Sequence, residues 1–515
     1  MDYTLEKKSV PVRETVFDGC LEQPIDLDFT LPDYCPGIEK ILKCTVTPKI
    51  HSKSLSGDRL TIDGAASVCV LYIDEEKKSV RSCEHSVPYS GSMTVRGDCS
   101  DAVFLATAKP DYVNCRAISP RRLDIHGAFS LCAKVEAIVH KETAVSCRED
   151  DVQLKLKQAM CSRLCTLSHQ QFTVSEELEP SAGSPAVRTI LKSNVRVKSG
   201  ECRIAGDKAM VKGEMTVRVL YIADNEIAET AVMEFTLPVG QVVDTPGIEN
   251  DAKTDYRLQL LSCDVRLRED GSGDRGAVIT VDARLCAYIA AYCDEKIEYI
   301  ADAFSTSLEL DGEYSQLQLM RLTDICRETT ITKTSAELEA NGISKIIDIW
   351  ADSCTAESGF ENGTAIVKGK LCVCILALDN DSTPFYTERS VDYLCPLKLS
   401  EADADNVMLE PLSRVDSVSY RISSGNTVDL RCEITAEARA FAVNTARMLT
   451  SAHADEERKK ANQNDSALTL YYAKKGESVW EIARSYSARP DDVMHENEIA
   501  DDVLDCDIML LIPGI

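Results

Sequence analysis

The sequence predicts a mainly β protein: three tandem strand-rich modules, each a sandwich or open barrel with a short helix, then a small α+β module of β-α-α-β order. Three observations carry this prediction. Two separated motifs recur along the chain at one fixed offset. Apolar residues alternate at period two through most of the sequence, which argues half-buried strands. Residues 468–515 then change to the 3.6-residue period of a helix and back again.

The repeat comes first because missing it misreads the whole fold. Pro36-Gly-Ile38-Glu-Lys-Ile41-Leu42-Lys43 aligns with Pro185-Ala-Val187-Arg-Thr-Ile190-Leu191-Lys192, an offset of 149 (185 − 36). Further on, Ile62-Asp-Gly64 followed by Leu71-Tyr72-Ile73 aligns with Val211-Lys-Gly213 followed by Leu220-Tyr221-Ile222, again at 149 (213 − 64). A third copy lies 305 residues after the first (369 − 64): Ile38, Ile41 and Leu42 fall on Ile343, Ile346 and Ile347, Gly64 on Gly369, and Leu71 on Leu376. Each copy holds a weaker half-repeat, in which Leu60-Thr-Ile62-Asp-Gly64-Ala65 resembles Leu123-Asp-Ile125-His-Gly127-Ala128. In the second copy the halves stand further apart, and the loop Glu269–Gly276 accounts for the extra residues, since loop closure costs little more as loops lengthen.

Within each half-repeat the alternation is plain. Leu60, Ile62, Val68 and Val70 share one parity, and Met215, Val217, Val219 and Tyr221 share another. The central glycine marks a bulge or close backbone approach, or else a strand start. Ile38, Ile41 and Leu42 are spaced i, i+3, i+4, so Pro36–Lys43 is expected to form a short helix with Pro36 in its first turn. The boundaries that follow are 1–150, 151–305 and 306–450 for the modules, 451–467 for a linker, and 468–515 for the tail module. The linker, AHADEERKKANQNDS from Ala452 to Ser466, is charged and polar; its Glu/Lys pairs also allow a short helix.

In the tail, Leu468, Leu470 and Tyr472 alternate as a strand, and Gly476 allows a turn. Ser478 is an N-cap with Glu481 completing a capping box. Val479, Ile482, Ala483 and Tyr486 form the core face of the first helix. Pro490 opens a second helix with Val493 and Met494 facing in, and Asn497 ends it. Leu510 and Ile512 form the closing strand, ended by Pro513.

That order, with Gly476, Glu477, Ser478, Trp480, Ile482, Ala483, Tyr486, Asn497, Leu510, Ile512 and Pro513 at their places, resembles the LysM family. Asp507 stands where that family usually turns on glycine. The resemblance implies a ligand groove between the loop after the first strand, Gly476 to Val479 here, and the loop after the second helix, Asn497 to Ala500. Candidate binding residues are therefore Gly476, Glu477, Ser478, Val479, Trp480, Asn497, Glu498 and Ile499. The family binds N-acetylglucosamine polymers. Here residues 468–515 hold four basic and ten acidic side chains, a net of −6 (4 − 10), which favours a basic protein surface as ligand. Trp480 lies off the helix face used by the core; it is either a partly exposed anchor, as tryptophan often is at binding hot spots, or a lid on the core edge.

Two further stretches carry a resemblance. Asp28-Phe-Thr-Leu-Pro-Asp-Tyr-Cys-Pro-Gly-Ile-Glu-Lys-Ile-Leu-Lys43 and Ala117-Ile-Ser-Pro-Arg-Arg-Leu-Asp-Ile-His-Gly127 are similar to the SPOCS domain of endospore-forming Firmicutes. The second copy lacks the Leu-Pro-Asp-Tyr run, and the third has Asn341-Gly342 where a proline would stand. Three SPOCS-like copies with a C-terminal LysM resemble the SipL-type spore-coat morphogenetic proteins. That resemblance implies binding to the coat-basement ATPase SpoIVA through the LysM module, other coat proteins as further partners, and a place on the mother-cell side of the forespore. The alternative is a cell-wall protein that binds peptidoglycan.

Composition sets the outer limits. The chain has 515 residues, more than the ~250–300 one core sustains. Its net charge of −27 opposes nucleic acid and anionic lipid surfaces. The first residues lack an apolar signal segment, and the run Leu285–Cys293 is too short to span a bilayer, so a cytosolic chain without membrane insertion is expected. The 22 cysteines include no C-x-x-C pair, and Cys69, Cys132, Cys286, Cys372, Cys374 and Cys432 sit in alternating strands, so buried thiols are expected ahead of bridges or a metal site. Gly363-Thr-Ala-Ile-Val-Lys-Gly369-Lys370-Leu371 misses a phosphate-binding loop by one residue of spacing and by Leu371 at the hydroxyl position. His126 falls on a solvated strand face. No nucleophile, acid–base or metal constellation assembles, so no enzyme activity and no cofactor are expected.

Overall fold

Alternation at period two in the first module builds β1 (Leu5–Thr30), β2 (Ile38–Ser56), β3 (Arg59–Asp74), β4 (Val80–Thr94), β5 (Val103–Ser119) and β6 (Arg122–Cys147). The computed structural model describes residues 2–76, 78–96, 102–180, 184–249, 251–268, 278–339, 341–400, 406–459 and 468–513. The strands form two antiparallel sheets, β2-β3-β4 and β1-β6-β5. The second module repeats this with β7 (Val152–Leu178), β8 (Val187–Ala205), β9 (Lys208–Ala223), β10 (Thr230–Asp244), β11 (Lys253–Arg268) and β12 (Val278–Ser305), paired β8-β9-β10 and β7-β12-β11. The third has β13 (Leu308–Glu337), β14 (Lys345–Cys354), β15 (Glu357–Glu361), β16 (Thr364–Leu378), β17 (Pro384–Pro396), β18 (Val407–Ser424) and β19 (Thr427–Lys459). There β14 and β15 together occupy one edge of β16, opposite β17. The tail holds β20 (Leu468–Ala473), α1 (Val479–Ser485), α2 (Pro490–Glu496) and β21 (Ile508–Pro513).

Each module is a sandwich rather than a closed barrel. One cluster in the first joins Val46, Leu60 and Ile62 of one sheet to Phe104, Ile125 and Leu131 of the other. The half-repeats are the two central strands, β3 and β6, so the internal similarity reflects two sheets with one design. Met215, Val217, Val219 and Tyr221 are all buried on one face of β9, as the alternation requires. The second and third modules close their own cores the same way.

The shared offset has a physical cause. The Tyr72 hydroxyl donates to the Pro36 carbonyl at 3.1 Å, and Tyr221 donates to Pro185 at 3.4 Å. The two motifs touch, so they keep step. Gly64, Gly213 and Gly369 all lie in the central strand of the first sheet of their modules. A Cβ on each would fall against a backbone carbonyl, of Lys49, Lys198 and Thr355 respectively. The facing strands bulge there, β2 between Ile50 and Ser52 and β8 between Ser199 and Cys202. A close approach beside a bulge explains the glycine.

Other bulges, earlier in the same strands, correct the expected short helix. Ile38–Lys43 is strand, and β2 slips register between Ile38 and Lys40 and again between Ile41 and Lys43. The first inserted residue brings Ile38 and Ile41, three apart, to the same core-facing side, while Leu42 faces the other way into a cluster shared with the other modules, so apolar residues stand at i, i+3 and i+4 without any helix. The same slips recur in β8 at Val187/Thr189 and Ile190/Lys192.

The modules pack around one another. Leu42, Leu71 and Ile73 meet Leu191, Leu220, Ile222, Trp350, Cys374 and Leu376 in a single buried cluster. In each Leu-Tyr-Ile run the tyrosine enters its own core, while the flanking residues build this hub. Arg218 donates to Asp348 at 2.7 and 3.0 Å, and the Lys192 ammonium lies 3.3 Å above the Trp350 ring. The long strands β6, β12 and β19 extend past the sandwiches and share further apolar clusters. A cavity of about 370 Å³ between modules is lined by Lys134, Glu136, Asp255, Arg257, Glu410 and Arg439. These charges pair with one another, as in Arg439–Asp255 at 3.1 Å and Lys134–Glu410 at 3.1 Å, and so tie the modules together.

Two more expectations need correction. The linker does not begin at residue 451: β19 continues to Lys459, with Ala452 and Ala454 buried, because Ala452 and Ala454 alternate inward while His453 points out to Asp2. The rest of the expected linker, from 460, and the insertion Glu269–Gly276 lie outside the described residues. The cysteines are not all free thiols. Cys20 and Cys132 stand directly opposite in the β1–β6 pairing and are bonded, and Cys165 and Cys293 come together across β7 and β12. Antiparallel neighbours bring Cβ atoms within the reach a disulfide needs. Cys286, Cys374 and Cys432 are buried and free, and burial pushes the Cys432 thiol up to about 11.

Candidate partner-binding site on the tail module

The tail forms the expected β-α-α-β unit, with β20 and β21 antiparallel and α1 and α2 covering one face. Val479, Ile482, Ala483, Val493, Leu510 and Ile512 are buried in its core. Tyr486 is not a core residue: it ends α1, is 40% exposed, and packs edge-on against Tyr471. Ser478 occupies the N-cap position but makes no cap bond; the cap is Asp502, whose carboxylate accepts the Trp480 N–H and the Ser478 hydroxyl, each at 2.9 Å. The expected capping box is therefore absent, and Glu481 is exposed. Asp507 replaces the family's turn glycine with a hydrogen bond, accepting the Lys475 N–H at 2.8 Å.

The predicted groove residues divide. Gly476 is exposed with φ +92°, and Glu477 and Ser478 are half-buried. This segment lies against 502–504, through Gly476 N–H to Leu504 at 2.8 Å and Val479 N–H to Asp502 at 2.7 Å, and no hydrogen bond links it to 497–500 among the described residues. Val479 is fully buried, and Ile499 is half-buried against the same cluster. The Asn497 amide donates to the Val493 and Leu511 carbonyls and accepts the Leu511 N–H, all at 2.7 Å, so it joins α2 to β21 rather than facing a ligand. Glu498 is exposed with φ +55°.

Trp480 overturns the expectation of an exposed anchor. It is 5% exposed because the tail docks on the second module. Its indole N–H donates to Asp302 at 2.9 Å, and its ring meets Phe304 edge-on at 4.9 Å. Arg484 pairs with Asp302 at 2.7 Å, and Lys155 with Asp502 at 2.7 Å. Burial alone would raise both carboxyls; for Asp302 the bonds from Arg484, Trp480 and Tyr314, and for Asp502 those from Lys155, Trp480 and Ser478, hold them below the usual range.

What the sequence reading missed is the outer face of the tail's sheet. The alternation of Leu468, Leu470 and Tyr472 does mark a strand, but these residues point away from the helices; Thr469, Tyr471 and Ala473 face them. Leu468, Leu470 and Tyr472 are 49%, 63% and 58% exposed, and Met509, opposite Tyr472, is 54% exposed. Leu511 and Pro513 complete the face opposite Leu470 and Leu468. The signal available was Ala473 and Tyr471, a second apolar parity in the same strand.

Residues 37–118 and 186–268 match the family model described as SipL, SPOCS domain. These stretches are β2 to β5 of the first module and β8 to β11 of the second. The match supports a SipL-type family and, with it, a spore-coat-associated role. No curated protein and no solved structure matches the chain.

Proposed function

We propose that the chain is a non-enzymatic scaffold protein of spore-coat assembly whose LysM-like tail module binds the SpoIVA coat-basement ATPase, at the forespore surface in the mother-cell cytoplasm. The observation that carries this reading is the apolar outer face of β20 and β21. Four exposed large apolar side chains on so small a module make a contiguous patch of the kind that marks interaction sites. Exposed Asp501, Asp505 and Asp507 belong to the acidic excess of the same module and favour a partner with basic residues around an apolar floor. A glycan groove finds less support, because Asn497 and the Gly476–Val479 backbone are engaged internally.

The test is capture of purified SpoIVA by the full chain carrying Leu470→Glu, beside Glu498→Ala and beside wild type with soluble chitooligosaccharide as competitor. Loss with Leu470→Glu alone supports the sheet face. Loss with Glu498→Ala or with the sugar, and not with Leu470→Glu, moves the site to the groove.

A further inference from the structure

The tail could rest on any of three similar module ends, yet it uses one. The strands β6, β12 and β19 each carry an extra residue near their ends, Val145, Ala301 and Thr450, where pairing slips. The residue after this bulge is Ser146 in the first module, Asp302 in the second and Ser451 in the third. Two positions further on stand Arg148, Phe304 and His453. Only the second module therefore offers a carboxylate beside an aromatic ring, and that is where α1 docks.

Hydrogen bonds and ion pairs around one aromatic contact hold the tail in place. Asp302 accepts from Trp480 and Arg484, and from Tyr314 of the third module at 2.9 Å. Arg484 also donates to the Ala303 carbonyl at 3.2 Å, and Lys155 pairs with Asp502. Among the described residues, Phe304 is the one residue of the modules in the tail's apolar cluster. Contacts between domains of one chain that rest largely on polar bonds leave relative motion as the default. Trp480 and Arg484 are residue types enriched at binding hot spots.

We propose that the α1 face bearing Trp480 and Arg484, with Asp502 capping its start, is a second protein-binding surface, which the second module keeps covered and which a protein segment presenting a carboxylate two residues before an aromatic ring uncovers by replacing Asp302 and Phe304. It rests on the reading of the tail as a protein-binding module, but it concerns a face separate from Leu470 and Tyr472. A partner on the outer sheet face leaves the clamp shut; a partner on α1 opens it.

The experiment uses the full chain with Trp350→Phe, so that Trp480 is the remaining tryptophan of the two. Asp302→Ala in this background is expected to red-shift Trp480 emission and raise acrylamide quenching several-fold, with unchanged circular dichroism. The probe is a synthetic peptide of residues 299–307, YIADAFSTS. It is expected to restore shielding in the Asp302→Ala chain, to leave the closed parent unaffected, and to lose its effect when its own aspartate becomes alanine. A shielded Trp480 in Asp302→Ala would refute the clamp. An exposed Trp480 that no concentration of peptide protects would refute the binding surface. Neither result depends on SpoIVA, so failure here leaves the outer-face reading standing.

Discussion

Gly64→Ala tests the packing logic of the repeat. In an extended strand alanine is otherwise no worse than glycine, so any large cost must come from the close approach. An added Cβ would fall well inside van der Waals distance of the Lys49 carbonyl and 2.5 Å from the Tyr89 hydroxyl, under the 3.0 Å that real Cβ atoms keep. Tyr89 can swing; the carbonyl cannot, since it sits in the β2–β3 pairing next to the bulge. Forcing backbone apart in a filled core costs about 3 kcal/mol. For a module of this size that is a fall of roughly 6–12 °C in Tm. Gly425→Ala is the control: nothing lies within 4 Å of its Cβ position, and the substitution is expected to be neutral or to stabilise by about 0.4–1 kcal/mol. Scanning calorimetry of the two variants checks this. A Gly64→Ala chain within about 0.5 kcal/mol of wild type would refute the argument from close approach.

Three further outcomes are expected. Asn497→Ala removes two hydrogen bonds from the end of α2 to Leu511 of β21 and one to Val493 within α2, and should cost the tail about 1–3 kcal/mol, read as faster amide exchange at Leu511 by roughly 5–150-fold. Asp348→Ala strips Arg218 of its partner from the third module while Glu234 remains; about 2 kcal/mol should be lost, seen as a lower urea midpoint. Acid should open the tail clamp. Asp302 faces Arg484 and Tyr314, and Asp502 faces Lys155; both carboxyls lie below the ordinary 3.8, so their contribution is complete above that value and is lost as pH falls through the lowered pKa values. Trp480 emission in the Trp350→Phe chain followed from pH 5 to 2 reads this, and Asp302→Asn should show a smaller change.

Much of the architecture was legible because repeated contacts leave repeated residues. The Pro36–Tyr72 and Pro185–Tyr221 bonds fixed an offset that self-comparison could find. The short helix was misread because a bulge after Ile38 brings Ile41 back to the core face and Leu42 is buried on the other face, which together imitate helical spacing. The end of β19 was hidden by its composition, since Ala452 and Ala454 are weak markers of burial among charged neighbours. The βααβ order of the tail could be read from its periods. Which face of β20 looks outward could not, because both parities carry apolar side chains. The resting place of Trp480 was out of reach, since Asp302 and Phe304 lie 178 and 176 residues away (480 − 302 and 480 − 304) and belong to no motif.

The measurement that bears most directly on the central claim is the affinity of the full chain for SpoIVA by titration calorimetry, wild type beside Leu470→Glu, at two salt concentrations. The account predicts binding that weakens with salt and a loss of at least about 2 kcal/mol, roughly 30-fold in Kd, on Leu470→Glu, while the tail stays folded by amide exchange. An unchanged Kd for a folded Leu470→Glu chain would contradict it.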